Sequence, residues 1–200
     1  MGEHYYSKQP AAKSERQKHD VKLRGMSFQF MTDAGVFSKS GVDYGSRVLI
    51  EALEIPPGAQ VLDVGCGYGA IGIAIAKMVP GCHVTMIDVN ERAVQLARDN
   101  AVLNKVSEST TVLQSDIYEK VAEQSFDVIV TNPPIRAGKA VVHQIFEEGA
   151  VRLHAGGSMW VVIQKKQGAP SAEAKLAALF SEVEEVKKDK GYRILRARKG

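Results

Sequence analysis

The 200-residue sequence holds only two cysteines, Cys66 and Cys82. Two thiols are too few for a disulfide framework, and neither lies in the spaced Cys/His pattern of a structural zinc site. No metal is expected. No apolar run approaches the ~18 residues of a membrane span, and the polar first residues do not read as a signal peptide. There is no repeat and no low-complexity tract. What is present is ordinary for a folded chain: 44% hydrophobic and 24% charged residues, which excludes global disorder. A chain of this length buries roughly 70% of its unfolded surface without staples. These features point to one domain in a reducing, cytoplasmic compartment, away from membranes.

The net charge of +3 is unevenly spread. Residues 1–24 carry six Lys/Arg against three Asp/Glu, residues 187–200 carry seven against one, and the stretch between is −6. Basic ends on an acidic body suit a polyanionic partner, because phosphates release counterions to Lys and Arg. Lys8, Lys13, Arg16, Lys18, Lys22 and Arg24 are expected in a mobile arm over residues 1–25. Arg193, Arg196, Arg198 and Lys199 are expected to supply long-range attraction for the polyanion from the other end.

Residues 26–200 read as the domain proper. SFQFMTDAGVFS alternates aromatic and polar side chains and breaks at Asp33-Ala34-Gly35, which predicts a short hairpin over 26–38. Residues 43–53 are amphipathic and stop at Pro56-Pro57-Gly58. Strands then alternate with helices: strands at 60–64, 83–87, 110–113, 126–131 and 158–163, helices at 70–78, 91–103, 141–153 and 172–180. That rhythm predicts right-handed crossovers and a doubly wound, mostly parallel α/β sheet. Residues 183–188 and 192–198 flank Asp189-Lys190-Gly191, predicting an antiparallel hairpin at one edge.

VLDVGCGYGAIG places Asp63, Gly65, Gly67, Gly69 and Gly72 across a strand-to-helix turn. Glycines there permit positive φ and let a ligand approach the backbone. Gly67–Gly72 also fits G-x-G-x-x-G, so a dinucleotide-binding oxidoreductase stays open on the loop alone. Two carboxylates shift the balance. Asp63 would oppose a pyrophosphate but suits a cation. Asp88, followed by Val89, ends the next strand nineteen residues after Gly69, where a carboxylate can accept both ribose hydroxyls. A ligand with a ribose, a positive charge and no phosphate fits S-adenosylmethionine. Asp116 ends the third strand, where it can accept from an adenine amine while Ile117 covers the ring. Taken alone, Asp116 reads better as a surface cap.

Asn132-Pro133-Pro134-Ile135 follows the fourth strand at its carboxyl end, the edge where open α/β sheets bind ligands. An exocyclic NH₂ can give its hydrogens to the Asn132 side-chain carbonyl and the Pro133 backbone carbonyl. The prolines fix those acceptors before the substrate arrives. Arg136 and Lys139 follow and can hold substrate phosphates, although a solvated loop explains them nearly as well. His143 and His154 lack metal-ligand partners, Cys66 reads as a small loop residue rather than a nucleophile, and Trp160 reads as core. Tyr68 reads equally as a cofactor border or as packing.

VLDVGCGYG, Asp88, Asp116 and NPPI together resemble the class I S-adenosylmethionine-dependent methyltransferases that methylate amines. AGVFSKSGVDYGSRVLIEAL followed by NPPIRAGK resembles, more narrowly, the catalytic domain of the small-subunit ribosomal RNA guanine-N2 methyltransferases, over roughly residues 26–200. The resemblance implies about seven strands ordered 3-2-1-4-5-7-6, counting from the strand at 60–64. It also implies that the GVFS loop folds over the methionine part of the cofactor, with contacts from Phe37, Asp43, Gly45 and Ser46. The implied partner is ribosomal RNA or the small ribosomal subunit. Ile135 stands where relatives often carry an aromatic residue that stacks on the base. Adenine-N6 and protein glutamine methylation share the motif logic, and a non-catalytic RNA-binding protein on the same fold is a further alternative.

Overall fold

The computed structural model describes residues 6–200. A hairpin of β1 (Gln17–Leu23) and β2 (Met26–Thr32) leads into α1 (Tyr44–Ala52). There follow β3 (Gln60–Val64), α2 (Ala70–Met78), β4 (His83–Asp88), α3 (Glu91–Leu103) and β5 (Thr110–Gln114). The chain continues through β6 (Phe126–Thr131), α4 (Lys139–Arg152), β7 (Leu153–Gln164), α5 (Ala169–Leu179), β8 (Glu182–Asp189) and β9 (Tyr192–Arg198). Seven strands form one sheet in the order β5-β4-β3-β6-β7-β9-β8. This is the expected 3-2-1-4-5-7-6 arrangement, with β9 antiparallel to both β7 and β8.

Both faces of the sheet are covered, so its central strands are apolar almost throughout. The alternation is clean. Val61, Val84, Met86, Val128, Val130 and Trp160 pack on the side of α1, α2 and α3. Leu62, Ile87, Ile129, Met159 and Val161 face the opposite side with α4 and α5. Close approach of α2 to β4 depends on Gly72, where a Cβ would meet Met86 Sδ at 2.5 Å.

The amino-terminal segment departs from its sequence pattern. Residues 17–23 are no arm but a full strand paired with β2, and the hairpin turns at Arg24-Gly25 rather than at 33–35. β1 escapes notice because its sequence QKHDVKL is largely solvent-facing and carries little apolar alternation. The hairpin is fastened by α3. Asn100 Oδ1 accepts from Met31 N (2.7 Å) and its Nδ2 donates to Met31 O (3.0 Å). One turn later, Asn104 makes the same pair of bonds with Gln29, at 3.1 and 2.8 Å. Two helix amides thus stand in for a neighbouring strand along β2.

Several basic residues of the two ends are held by the fold, whereas Lys8, Lys13, Lys18 and Lys22 are exposed and make no ion pair among the described residues. Arg16 pairs with Asp99 (3.0 Å), and Arg24 Nη1 donates to Leu53 O (2.8 Å) at the end of α1. Arg193 pairs with Glu173 (2.6 Å) and Glu185. Arg196 pairs with Glu184 (2.6 Å) and Glu54 (3.3 Å) and lies over the Trp160 ring. Arg198 faces Ser158 early in β7, and Lys199 Nζ donates to Leu153 O (2.7 Å). The last two therefore lie at the amino end of the parallel strands.

Candidate active site

The parallel strands β3, β4 and β6 end around a cavity of about 640 Å³, within the range of small-molecule sites. Its floor is the glycine loop after β3. Gly65 and Gly67 have φ of +71° and +56°, and a Cβ on either would meet nothing within 4 Å. The loop backbone is therefore open to a ligand. Gly69 serves packing instead, since a Cβ there would lie 2.8 Å from Ile73 Cδ1.

Asp88 ties the loop to the next strand. Its Oδ2 accepts from Gly67 N (2.8 Å) and its Oδ1 from Asn90 N (2.9 Å). The Val89 N–H also bonds this carboxylate, which keeps acceptor capacity for a ribose hydroxyl. Burial pushes the Asp88 carboxyl up to about 6, against the opposing backbone hydrogen bonds. Asp63 lies beneath the loop, with Oδ2 accepting from Gly72 N (2.9 Å). Its Oδ1 is buried with no hydrogen-bond partner among the described residues, and burial, reinforced by the charge of Asp88, pushes its carboxyl up to about 7. An orphaned carboxylate oxygen under an open glycine cradle suits a cationic nucleoside ligand.

A second wall comes from the segment after β2. Asn90 Oδ1 caps α3 through Arg92 N (2.9 Å), while its Nδ2 donates to Gly35 O (2.8 Å). Arg92 Nη1 donates to Ala34 O (2.6 Å). Asp33 accepts from Ser14 Oγ (2.7 Å) and Glu15 N (2.5 Å). Burial opposes ionisation of Asp33, but these bonds and Arg92 outweigh it and hold the carboxyl below its ordinary range. Val36, Phe37 and Ser38 are thereby held along the cavity.

The third wall is Asn132-Pro133-Pro134-Ile135. Thr131 Oγ1 donates to Val64 O (2.9 Å), locking the ends of β6 and β3 together. Asn132 Nδ2 donates to Asp43 Oδ2 (3.3 Å) and to Ser46 Oγ (3.2 Å). Asp43 is also the N-cap of α1, accepting from Ser46 N at 3.1 Å. The Pro134 and Ile135 carbonyls are taken by Ala137 N and Gly138 N. Asn132 Oδ1 and the Pro133 carbonyl have no partner among the described residues. Two acceptors are thus left unused beside the cavity.

Of the residues expected from sequence, the cavity gathers Phe37, Asp43, Ser46, Gly65, Gly67, Asp88, Val89, Ile117, Asn132, Pro133, Pro134, Ile135 and Arg136. Five expected contacts lie outside its lining: Gly45, Asp63, Gly69, Asp116 and Lys139. Gly45 makes room for Tyr192, whose Cε1 would be 2.7 Å from a Cβ. Asp116 is exposed, because the turn through Ile117, at φ +50°, gives the wall Ile117 instead. A β-branched residue in the left-handed region is strained. Ser115 Oγ donates to Ile117 O (2.9 Å) there. Lys139 is exposed at the start of α4.

Tyr6, Ser115 and Gln167 also line the cavity without having been expected there. Tyr6 arrives on a segment held by Lys8 O, which accepts from Glu91 N at 3.0 Å. Burial, then the charges of Asp116 and Asp88, raise its phenol pKa. Nothing local in HYYSKQP signals this position. Tyr68 is buried against Phe30, with ring centroids 5.7 Å apart, and also borders the cavity. Among the described residues no cluster of His, Cys, Asp or Glu could hold a metal, and no helix is long and apolar enough to cross a membrane.

A sheet of this order with a glycine loop after its first strand and an acidic residue ending the second defines the S-adenosylmethionine-dependent methyltransferase class. Residues 27–196 match the methyltransferase small domain, and the chain belongs to that family. Its cofactor is S-adenosylmethionine. The chain is 52% identical to YbxB of Bacillus subtilis (strain 168), over the full length of both. It is 34% identical to the ribosomal RNA large subunit methyltransferase G of Pseudomonas putida (strain W619), covering 89% of this chain and 48% of that one. Among solved structures, the T. thermophilus 16S rRNA N2 methyltransferase RsmC, in complex with AdoMet and guanosine, superposes with a TM-score of 0.83 at 30% identity. That match covers 96% of this chain and 52% of RsmC. The chain thus spans about half the length of these two ribosomal RNA methyltransferases.

Proposed function

We propose that the protein methylates an exocyclic amine of RNA, and specifically guanine N2 in small-subunit ribosomal RNA. The observation that carries the reading is the Asn132 amide. With its nitrogen occupied by Asp43 and Ser46, it offers its carbonyl oxygen to a donor. An exocyclic NH₂ supplies two donors, one for Asn132 Oδ1 and one for the Pro133 carbonyl. Accepting both hydrogens orients the nitrogen and favours its rehybridisation, so the lone pair becomes the nucleophile. Proximity and alignment of this kind can supply several kcal/mol of barrier lowering, up to about 7–11 in well-oriented systems.

When bound, S-adenosylmethionine supplies an electrophilic methyl group. In this reading the ribose hydroxyls donate to Asp88, the glycine loop lies along the cofactor, and Ile117 with Val89 covers the adenine. Phe37 and its neighbours cover the methionine end. Ile135 gives the base an apolar contact, and Arg136 meets a flanking phosphate. No strong general base is required, since the methylated nitrogen is acidic until its extra proton leaves to water.

Guanine is favoured over adenine-N6 and protein glutamine by the guanosine complex of RsmC, a relative of known structure. Relatives include both large-subunit and small-subunit enzymes, and the 16S rRNA enzyme RsmC supports the small subunit. Mass spectrometry of nucleosides from separated ribosomal RNAs, with and without the gene, tests the reading. Loss of N2-methylguanosine from the small-subunit RNA is expected. Loss from the large-subunit RNA alone would overturn the subunit assignment, and loss of N6-methyladenosine would overturn the guanine assignment.

A further inference from the structure

The edge of the sheet that bears the cavity also carries cations from well-separated stretches of chain. β6 and β7 are parallel, so the segments after them emerge together. Arg136 and Lys139 follow β6, and Lys165 and Lys166 follow β7. β9 runs antiparallel to β7, and Tyr192 faces Gln164, which returns the 189–191 turn to the same edge. Lys165 N donates to Gly191 O at 2.8 Å, joining the two segments.

This edge is contiguous with the site. Gln167, at the end of the Lys165–Gln167 turn, lines the cavity. Tyr44, next to Asp43, donates its hydroxyl to Asp189 Oδ2 at 2.8 Å, and Lys190 Nζ lies 4.8 Å from the centre of the Tyr44 ring. Arg136, Lys139, Lys165, Lys166 and Lys190 are all exposed. None of the five makes an ion pair among the described residues. The contrast with Arg193 and Arg196, each bound by two glutamates, is direct. The body of the protein is acidic, yet these five cations without ion pairs gather along the edge that bears the cavity.

We infer that this cationic rim, centred on Lys165, Lys166 and Lys190, is the surface on which RNA phosphates dock beside the target base. The inference rests on the RNA reading above. The occupant is a phosphate backbone because an array of separate ammonium groups matches regularly spaced anions.

Filter binding of transcribed small-subunit ribosomal RNA across a salt series tests the assignment. Each phosphate contact removed lowers the slope of log K against log salt by about 0.7–0.9. Lys165→Ala with Lys166→Ala should therefore lower it by about 1.4–1.8, and adding Lys190→Ala should lower it further. Arg198→Gln with Lys199→Gln removes the same formal charge at the far edge and should leave the slope unchanged. Calorimetry should give wild-type S-adenosylmethionine affinity for every variant, which also confirms that each is folded. A wild-type slope in the rim variants, or an equal loss in the far-edge variant, would overturn the rim assignment while leaving the RNA reading intact. Wild-type protein that fails to bind the RNA at low salt would overturn both. Wild-type binding to poly-glutamate that is lost in the rim variants, with RNA binding unchanged, would assign the surface to an acidic protein.

Discussion

Asn132 Nδ2 lies 3.3 Å from Asp43 Oδ2, across 89 residues of sequence, and Asp43 is at the same time the N-cap of α1. One carboxylate thus fixes a helix start and the orientation of the amide in the NPPI segment. Asn132→Ala should retain S-adenosylmethionine yet lose most turnover, because the amide matters where the amine must be aligned. Single-turnover methylation near the wild-type rate would remove Asn132 from the mechanism.

Asp43→Ala should act twice. Loss of the cap costs about 0.5–2 kcal/mol of stability, and the freed Asn132 amide should lower kcat more than it weakens cofactor binding. Asp43→Asn keeps an acceptor for Ser46 N and should restore most of the stability. Melting temperature and kcat measured on both variants separate the two effects.

Cofactor affinity should depend on pH through Asp88. In the free protein its carboxyl is pushed up to about 6. Ribose hydroxyls donating to the carboxylate favour the charged form, so the bound state holds its proton less tightly. Binding then expels a proton at low pH, and affinity falls as pH drops through about 6. Stability of the free protein moves the other way. A carboxyl raised above its unfolded value of about 3.9 penalises the fold at neutral pH, and that penalty is relieved as pH falls through the folded value. Asp88→Asn should bind more weakly at neutral pH, by roughly 1.5–3 kcal/mol, and with a flatter pH profile. Calorimetry from pH 5 to 8 gives both curves.

Tyr6 contributes a ring to the wall near Asp88. Tyr6→Ala should weaken S-adenosylmethionine by at least 0.5–1.5 kcal/mol, the scale of an aromatic contact. Tyr6→Phe keeps the ring and should stay near wild type. Equal losses in both variants would shift the role from the ring to the hydroxyl.

Asn100 is fully buried and serves Met31 N, Met31 O and Tyr68 O. Asn100→Ala leaves buried backbone groups unpaired, at about 1–3 kcal/mol each. Hydrogen exchange should accelerate in β2 before it does in β3 or β6.

The doubly wound sheet was legible because β3, β4 and β6 are short apolar runs and the intervening helices carry clear punctuation. The glycine loop, Asp88 and Asn132 were legible because their chemistry is tied to strand ends. What escaped depends on distant partners. β1 reads as a polar arm until β2 pairs with it, and the strand-mimicking role of Asn100 and Asn104 exists only once α3 lies beside β2. The C-terminal arginines read as free cations because Glu54, Glu173, Glu184 and Glu185 reach them only in the folded sheet. Asp116 and Ile117 are adjacent in sequence, and only the left-handed turn at Ile117 decides which one reaches the cavity.

Methyl transfer to guanine N2 at the Asn132-Pro133 acceptors is the proposed reaction. The most direct measurement is transfer from methyl-labelled S-adenosylmethionine to transcribed small-subunit ribosomal RNA, followed by digestion to nucleosides. Label is expected in N2-methylguanosine with wild-type protein and almost none with Asn132→Ala. Label confined to another nucleoside, or equal incorporation by the two proteins, would contradict it.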